Sequence, residues 1–443
     1  MTGGELFGDL PVTEASERPA AGRPRLREPV RDQIALLAMD IDGLIGADHP
    51  ARVIWAYVER LDLSGLEEAV RAREDGPGQA PASPRLLLAL WLYAVSEGVG
   101  SARALCRLCE SHDAYRWLCG GVSVNYHGLA DFRTAQGALL DRLLVEHVAA
   151  LSVAGVIDLD EVVQDGVRVR ASAGAGSYRR RKTLHKELGK ATRLVERLRQ
   201  EGEDDPAVSS RRIAAARERA ARERQARVEA ALARLGEIEA ERQRRGRTNK
   251  AEVEQQREPR ASTTDPEARI MKMADGGFRP AYNCQIGTVA KGQIVVAVTA
   301  ETVGSDRSLM RPMLDLLHRR HGRRPKRHLV DGGFNNNAAT EWAAAEGVKV
   351  YGPPPRSKHR TDPYAPRDDD GPGVARWRRR MKSPHGKGVY KRRAMGECIN
   401  ARLRQWGLDR LTVRGTRKVA TVLAWFALAN NILAGHRLLR AMA

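Results

Sequence analysis

A block of charged, helix-forming residues divides this chain and limits the folds that are open to it. From Tyr178 to about Arg245 the sequence is almost entirely Ala, Glu, Arg, Lys, Gln and Leu, and it is interrupted once, at EGEDDPAVSS. This composition predicts two long charged helices paired as a hairpin. Strand-like segments flank the block, so a sheet has to form across it. We therefore expect 178–260 to be a helical insertion in an α/β domain, acting as a solvated spacer, a partner-binding arm or a phosphate-binding surface.

The segments around the insertion alternate between strand and helix periods. Residues 162–171 (VVQDGVRVRA) alternate apolar and polar side chains, which predicts a half-buried strand. Two further strands, joined by a short AKG turn, are predicted after the insertion, and helices and strands then alternate. The predicted elements are strands 278–289 and 293–302, helix 308–322, strand 327–334, helix 336–347, strand 348–354, a basic Pro-rich loop 354–389 and a helix from Tyr390 to Arg404. Three antiparallel strands followed by this alternation is the element order of the ribonuclease-H-like fold.

The residues before the first strand predict an all-α domain. Five segments space apolar residues by three and four, with Ser83 and Ser101 as N-caps. These segments are 30–45, 51–70, 83–99, 101–120 and 129–155. Residues 1–29 lack an apolar core behind a basic start, so we expect a disordered leader and not a secretory signal. The predicted organisation is a leader (1–29), a helical N-terminal domain (30–155) and an α/β catalytic domain (156–443) interrupted by the insertion.

The charge balance points to a polyanionic partner. Lys and Arg number 75 against 55 Asp and Glu, for a formal net charge of +20, which favours nucleic acid first and a membrane surface second. The longest apolar stretches, 86–95 and 419–429, are shorter than the roughly 20 residues that span a bilayer, and they predict buried helices. Five cysteines are typical of reduced thiols in the cytosol. Cys106 and Cys109 form a CxxC inside a helical pattern without a second such pair, which favours an apolar helix face over a zinc site.

Three carboxylates occupy positions that converge in this element order. Asp165 lies in the first strand, Asp331 ends the fourth, and Glu397 lies on a helix after the fifth. Phosphodiester chemistry uses two Mg²⁺ ions about 4 Å apart, and hard carboxylate oxygens bind such ions. The sequence therefore predicts a two-metal site at one end of the sheet.

Each of the three acids has a structural alternative. Asp165 precedes a glycine and is a candidate turn residue, and three neighbouring acids compete for its role. Asp331 precedes Gly332 and Gly333 and is a candidate loop cap. Glu397 is four residues from Arg393, as in an ordinary ion pair on a solvated helix face. The competing acids are Asp158, Asp160 and Glu161 near the first strand, and Glu341 and Glu346 on a predicted helix.

The segment YKRRAMGECINARLR places Tyr390, Arg393, Glu397 and Arg404 on one helix face. Because of the type and spacing of these residues, the chain resembles the DDE transposases of bacterial insertion sequences, specifically the group with a Tyr-Arg-Glu-Lys signature in the last catalytic helix. Arg404 stands where that group has lysine. The segments QDGVRVRA and HLVDGGF resemble those around the family's two aspartates, and GGVSVNYHGLADFR (120–133) and DPEARIMKMADGGFRPAYNCQIG (265–287) extend the likeness from about residue 30 to 440.

The resemblance implies a metal-dependent enzyme that cleaves DNA at element ends and transfers the 3′-OH into target DNA. Asp165, Asp331 and Glu397 would be the catalytic metal ligands for two Mg²⁺ ions, which Mn²⁺ can replace, while Tyr390, Arg393 and Arg404 would contact DNA. The implied partners are the terminal inverted repeats and target DNA, bound by a homodimer or larger assembly, in a bacterial cytoplasm and nucleoid without membrane association.

Two other functions remain open at this point. The chain could be a DNA-binding regulator or inactive remnant that binds repeats without cutting, or a ribonuclease-H-like nuclease without strand transfer. The helical N-terminal domain is expected to bind DNA. Four arginines of this domain are either phosphate contacts or ordinary solvated helix residues: Arg103, Arg107, Arg116 and Arg133.

Overall fold

The structure is a computed structural model that describes residues 40–70, 72, 80–204, 208–244, 258–355 and 362–442. The predicted leader at 1–29 lies outside these residues, as does most of the first predicted helix. Residues Ile41–Ala443 form one compact unit.

Helices occupy the described residues up to the first strand. The predicted N-caps are confirmed, since Ser83 accepts a hydrogen bond from the Arg85 N–H and Ser101 from the Ala104 N–H. Three of the long predicted segments are each split into two helices. The helices are α1 (Pro50–Glu59), α2 (Ser64–Glu68), α3 (Pro84–Ser96), α4 (Ala102–Ser111), α5 (Asp113–Cys119), α6 (Tyr126–Ala135) and α7 (Gly137–Val153), preceded by a 3-10 turn at Asp42–Leu44.

A mixed sheet forms around the first strand. The strands are β1 (Glu161–Arg170), β2 (Tyr178–Arg179), β3 (Ala261–Ser262), β4 (Arg269–Lys272), β5 (Phe278–Val289), β6 (Ile294–Glu301), β7 (Arg327–Leu329) and β8 (Lys349–Tyr351). β1 pairs antiparallel with β5 and parallel with β7, and β7 pairs parallel with β8. β4 and β6 both pair antiparallel with β5. β2 and β3 form a separate small ladder.

The charged block forms a pair of packed helices, α8 (Arg181–Asp204) and α9 (Val208–Arg244). They share a small apolar core that includes Leu184, Val228 and Leu235. An ion pair between Arg224 and Glu187 crosses the pair at 3.0 Å. The hairpin also contacts the strand region, because Arg234 donates to the Thr302 hydroxyl at 2.9 Å.

The prediction of a loop at 354–389 is wrong for most of the described residues in that range. The helices after β6 are α10 (Met310–His321), α11 (Asn337–Ala345), α12 (Pro372–Lys382), α13 (Pro384–Lys391), α14 (Ala394–Gln405) and α15 (Thr416–Arg440), so two of them lie in that loop. The single helix predicted for 390–404 is also wrong. It is interrupted at Arg392 and Arg393, where i to i−3 hydrogen bonds tighten the backbone.

The last helix joins the N-terminal helices to the sheet. α15 packs against α3, α7 and β6, and its Trp425 is fully buried. Trp425 donates its indole N–H to the Arg133 carbonyl at 2.9 Å and packs near the ring of Phe132. α15 is long and apolar enough to cross a membrane, but 83% of its most apolar window is buried inside the protein. It is a core helix that the two predicted domains share.

Candidate active site

Asp165 lies in the middle of β1 and is largely buried, with 15% of its side chain exposed. Its Oδ1 accepts the Gly166 N–H at 2.9 Å, and its Oδ2 accepts the Asn400 amide at 2.8 Å. A guanidinium nitrogen of Arg393 lies 4.0 Å from Oδ2. Asp165 is therefore a strand residue held by two hydrogen-bond donors beside a guanidinium, and not a free turn residue.

Asp331 follows β7 and stands beside Asp165. In the parallel pairing of the two strands, Val163 of β1 lies opposite Leu329 of β7. Two residues further along the sequence come Asp165, still within β1, and Asp331, in the loop just beyond β7, so the chain leaves the sheet near Asp165. Asp331 Oδ1 accepts the Gly333 N–H at 2.7 Å. It therefore caps the loop, as the structural alternative predicted, and also faces the first acid.

Glu397 lies in the first turn of α14, with 58% of its side chain exposed. Its carboxylate pairs with Arg393, which precedes the helix, and the guanidinium of Arg393 also lies 5.9 Å from the centre of the Tyr390 ring. Burial works to lower the pKa of Arg393, but Tyr390, Glu397 and Asp165 together raise it above its usual value. Arg393 therefore stays charged between the first and third acids.

Electrostatic repulsion links the three carboxylates. Burial raises the pKa of Asp165 to about 6, Arg393 opposes this shift, and repulsion from Asp331 and Glu397 adds to it. Burial likewise raises the pKa of Tyr390, and the charges of Asp331 and Glu397 act in the same direction. Excess negative charge at such a point attracts a cation.

The raised pKa of Asp165 predicts that the free energy of unfolding depends on pH. Because folded Asp165 holds its proton to about pH 6 and its ordinary pKa is 3.8, the folded state loses stability as pH rises through that window. Above it, Asp165→Asn without divalent metal should raise the free energy of unfolding by up to about 3 kcal/mol. Chemical denaturation at pH 7.5 and pH 4 measures this, since the gain should fall below about 1 kcal/mol at the lower pH. A variant less stable than wild type at pH 7.5 would contradict the burial argument.

Arg404 is not brought to the carboxylates. It is exposed near the C-terminal end of α14. Two helical turns separate it from Glu397, about 10 Å along the axis. Its side chain makes no hydrogen bond or ion pair with another residue in the described ranges.

The competing acids have structural roles elsewhere. Asp160 pairs with Arg323 and with Lys326 before β1 begins. Glu161, at the start of β1, pairs with Arg327 at 2.8 Å and with Arg392. On α11, Glu341 accepts the N–H groups of Gly373 and Val374 at the start of α12, and Glu346 pairs with Arg324 at 2.9 Å.

One predicted DNA contact is wrong. Arg133 is buried, with only 7% of the residue exposed, and its guanidinium lies 4.8 Å from the centre of the Trp91 ring. It donates to the Gly100 carbonyl and, at 2.9 Å, to the Thr412 hydroxyl. Arg133 therefore joins the N-terminal helices to the C-terminal segment and is not available to phosphate.

Sequence reasoning missed a polar network that borders the site. Asp306, in a turn after β6, accepts hydrogen bonds from Asn283 at 2.7 Å and Gln285 at 2.8 Å. Gln285 accepts the Gln164 amide at 2.7 Å, and His328 lies 3.0 Å from Gln164 Oε1. The four amide and imidazole side chains are buried. In the sequence these four residues stand out as polar residues within otherwise apolar strands, and this pattern could have indicated the network.

The network also explains the glycine after Asp165. A Cβ on Gly166 would lie 2.4 Å from Gln285 Nε2 and 2.7 Å from Asp306 Oδ1. Contacts that short do not occur without movement of the neighbours, so a larger residue at 166 would displace two side chains of the network.

The ligand chemistry of the site fits a hard divalent cation. Three carboxylates offer oxygen atoms, and Asn400 Oδ1 near Asp165 is buried without a hydrogen-bond partner among the described residues. As placed, no group of three or more His, Cys, Asp or Glu within the described part of the chain is close enough to hold one ion. The Glu397 carboxylate is paired with Arg393 and mostly exposed, so it would have to turn to share an ion with the two aspartates.

Comparison with known protein families gives two matches. The family described as "Transposase DDE domain" matches residues 253–432, and the family described as "Transposase domain (DUF772)" matches residues 39–135. The first match contains Asp331 and Glu397, while Asp165 precedes it. Comparisons with curated proteins and with solved structures give no significant match. A DDE domain implies a ribonuclease-H-like fold, in agreement with the sheet described above. The chain belongs to the DDE transposases of insertion sequences and is a DNA transposase, a polynucleotidyl transferase.

Proposed function

We propose that this transposase cleaves DNA at the ends of its element and joins the freed 3′-OH to target DNA. The observation that carries the proposal is that Arg393 lies between Asp165 and Glu397, while the charges of Asp331 and Glu397 both act on Asp165. The divalent metal ions used by DDE transposases are here two Mg²⁺, held by these three carboxylates. Mn²⁺ is the natural substitute, since its ligand preference is the same.

Two phosphoryl transfers make up the reaction. In the first, water attacks a phosphorus at the element end, the P–O3′ bond breaks, and a free 3′-OH remains on the element. In the second, this 3′-OH attacks a target phosphodiester, a new P–O3′ bond forms, and the target's own 3′ oxygen leaves. When bound, the two metal ions polarise the phosphate and stabilise the attacking and leaving oxygens. No protein nucleophile is needed.

Arg393 has the geometry of a phosphate-positioning residue. Its guanidinium is 19% exposed, pairs with Glu397 and lies near Asp165. If Glu397 turns to a metal ion, Arg393 is left with donors suited to a phosphate oxygen. Tyr390, half-buried beside it, is placed to contact the terminal nucleotide. Arg404 contacts DNA about two helical turns away from the reacting phosphate, where its exposed guanidinium suits the backbone.

Cations are concentrated on α12 and α13, the two helices that precede the helix of Glu397 in the chain. Residues 372–393 contain nine Lys and Arg and no Asp or Glu. Arg378 is buried in an ion pair with Asp370, but most of the other cations are exposed, although Lys382 pairs with Asp362 and Arg392 with Glu161. The exposed members are Arg376, Arg379, Lys382, Lys387, Lys391 and Arg392. We name these six residues the α12–α13 basic face, and DNA entering the site would run along it.

The double variant Arg376→Ala, Arg379→Ala tests this face. Removing one cation that pairs with a phosphate should lower the slope of log affinity against log salt by about one, so the double variant should lower it by about two. Binding of a repeat-containing duplex between 50 and 200 mM salt, roughly the range over which such ion pairs respond, measures the slope.

A charge-matched control lies at the other end of the sheet. Lys291 in the β5–β6 turn and Lys349 at the start of β8 are exposed there. Changing both to Ala removes the same charge but should leave the slope nearly unchanged. Equal decreases of the slope in the two double variants would mean that DNA does not follow the α12–α13 basic face.

The N-terminal helices are the proposed readers of the inverted repeat. Arg107 is exposed on α4, and Arg103 on the same helix stacks 4.5 Å from the centre of the Tyr126 ring. Arg116 pairs with Asp113. Arg103 and Arg107 are therefore the better candidates for DNA contact in this region. Joining two element ends in one complex calls for at least a homodimer on DNA, in the bacterial nucleoid.

One experiment separates this function from its rivals. A duplex carrying the element's inverted repeat, labelled at the transferred strand, is incubated with the full chain, Mg²⁺ and a target plasmid. Nicks at the repeat end and label joined to plasmid support the proposal. Nicks without joined label indicate a nuclease, and binding without nicks indicates a regulator or an inactive remnant.

A further inference from the structure

Asn400 connects the helix of the third acid to the strand of the first. It lies one turn beyond Glu397 on α14, on the side that faces β1. Its amide Nδ2 donates to Asp165 Oδ2 at 2.8 Å. Among the described residues, the other oxygen of Asp165 accepts only its neighbour's backbone N–H, and Arg393 stands further away at 4.0 Å. The Asn400 amide is therefore the closest side-chain donor to this carboxylate.

The approach of the helix makes the contact short. A Cβ on Gly396 would lie 2.8 Å from a methyl group of Val163 and 3.6 Å from Asp165 Cβ. Glycine at 396 thus lets the α14 backbone lie against β1. One turn later, the short Asn400 side chain spans the remaining gap. The distance between the first and third acids is set by this pair of contacts.

The chemical type of the donor matters at a cation site. A lysine or arginine at 400 would neutralise Asp165 and compete with a metal ion for it. A carboxamide orients the carboxylate without adding charge, so Asp165 keeps its attraction for a cation. Its Oδ1 is buried and has no hydrogen-bond partner among the described residues. This acceptor is left for a water molecule in the site.

We propose that Asn400 is a positioning residue, which holds the Asp165 carboxylate in the orientation that binds divalent metal and keeps it in register with Glu397. The proposal rests on the proposed function in one respect, that Asp165 is a metal ligand. Neither family match names Asn400, and it lies outside the Tyr390, Arg393, Glu397 and Arg404 set.

Direct metal binding tests the proposal without relying on activity. Mn²⁺ is titrated into wild type and Asn400→Ala, without DNA, and followed by calorimetry. Loss of an outer hydrogen bond to a metal ligand should weaken Mn²⁺ binding by about 10–100-fold. Asn400→Asp, which replaces the donor with a second carboxylate facing Asp165, should disturb the orientation as well. Asn400→Gln keeps the amide on a longer chain and should recover part of the affinity.

Arg402→Ala is the structural control. Arg402 lies on the same helix, but its partners are Asn430 and Gln293, away from the acids. This variant should lose thermal stability and keep its Mn²⁺ affinity. Joining assays over a range of Mn²⁺ concentrations add a second readout, because Asn400→Ala should need more metal yet approach the wild-type rate at saturation.

The outcomes are distinct. Mn²⁺ affinity equal to wild type in Asn400→Ala, or an affinity that falls equally in Arg402→Ala, overturns the positioning role. Wild type that fails to bind Mn²⁺ overturns it too, because there is then no ligand to position. Wild type that binds Mn²⁺ but joins no DNA, with weakened binding in Asn400→Ala, would uphold the role of Asn400 and reject the proposed function.

Discussion

Asp331→Asn is expected to lower the rate of 3′-end joining by about a thousandfold or more, while repeat binding stays intact. The reason is that a metal ligand contributes several kcal/mol to the transition state, and each 1.4 kcal/mol or so is a factor of ten in rate. Asp331 lies in the loop that follows β7, the strand next to that of Asp165, so its loss removes one side of the proposed site. Single-turnover joining at saturating enzyme, with band-shift binding in parallel, measures both quantities.

Asp160→Asn is the matched control for Asp331→Asn. Asp160 is an acid five residues before Asp165, but it pairs with Arg323 and Lys326 at the far end of β1. Its substitution should leave joining close to the wild-type rate. Full joining by Asp331→Asn, or abolished joining by Asp160→Asn with normal folding, would mean that the acids have been assigned to the wrong end of the strand.

Trp425→Ala is expected to lower the free energy of unfolding by about 3–5 kcal/mol, the cost of a large cavity in a packed core. Trp425 is fully buried on α15 and hydrogen-bonded to Arg133 of α6. The N-terminal helices and the sheet both pack against α15, so the loss should appear in the whole described unit as one transition. Urea denaturation followed by far-ultraviolet circular dichroism and by tryptophan fluorescence measures it.

Leu439→Ala provides the control on the same helix. Leu439 is 45% exposed, so its truncation should change the free energy of unfolding by no more than about 0.5 kcal/mol. Two separate unfolding transitions in wild type would contradict the shared core. A loss below about 1 kcal/mol for Trp425→Ala would do the same.

The strands around the site could be predicted from the sequence because their burial is regular. β1, β5 and β6 begin and end within one residue of the predicted segments, since each has apolar side chains facing a core. β7 is shorter than predicted: its pairing ends at Leu329, and Asp331 lies in the loop beyond. Because Asp331 lies beyond the end of the paired strand, its side chain is not confined to one face of the sheet and can turn toward β1.

The helices between β8 and the last acid could not be recognised from composition. Residues 354–389 are rich in Pro, Gly and cations, which favours a loop. Val374, Trp377 and Met381 nevertheless lie on one helical face and are buried. The start of α12 is capped by Glu341 of α11, 31 residues earlier in the chain. A helix stabilised by such a distant cap has only a weak local signal.

Some residues of the candidate site could be predicted from the sequence, whereas others are recognised only by their contacts in the structure. Asp165, Asp331 and Glu397 could be selected because the fold order gives three defined places for acids. Asn400 and Asp306 have no such marker, since an amide on a helix and an acid in a turn are common on protein surfaces. Their importance follows from what they touch: the first carboxylate for Asn400, and a buried amide network for Asp306. The N-terminal arginines show the reverse, since burial removes Arg133 from any surface.

Joining of a pre-cleaved element end isolates strand transfer, the step for which Asp165, Asp331 and Glu397 are proposed to hold the metal ions. A duplex that already carries the free 3′-OH is mixed with target DNA, Mg²⁺ and either wild type or Glu397→Gln, so that only strand transfer is observed. The three-carboxylate account predicts Mg²⁺-dependent joined product with wild type and none with Glu397→Gln, at equal DNA binding. Joining by Glu397→Gln at the wild-type rate would contradict it and return Glu397 to a surface ion pair with Arg393.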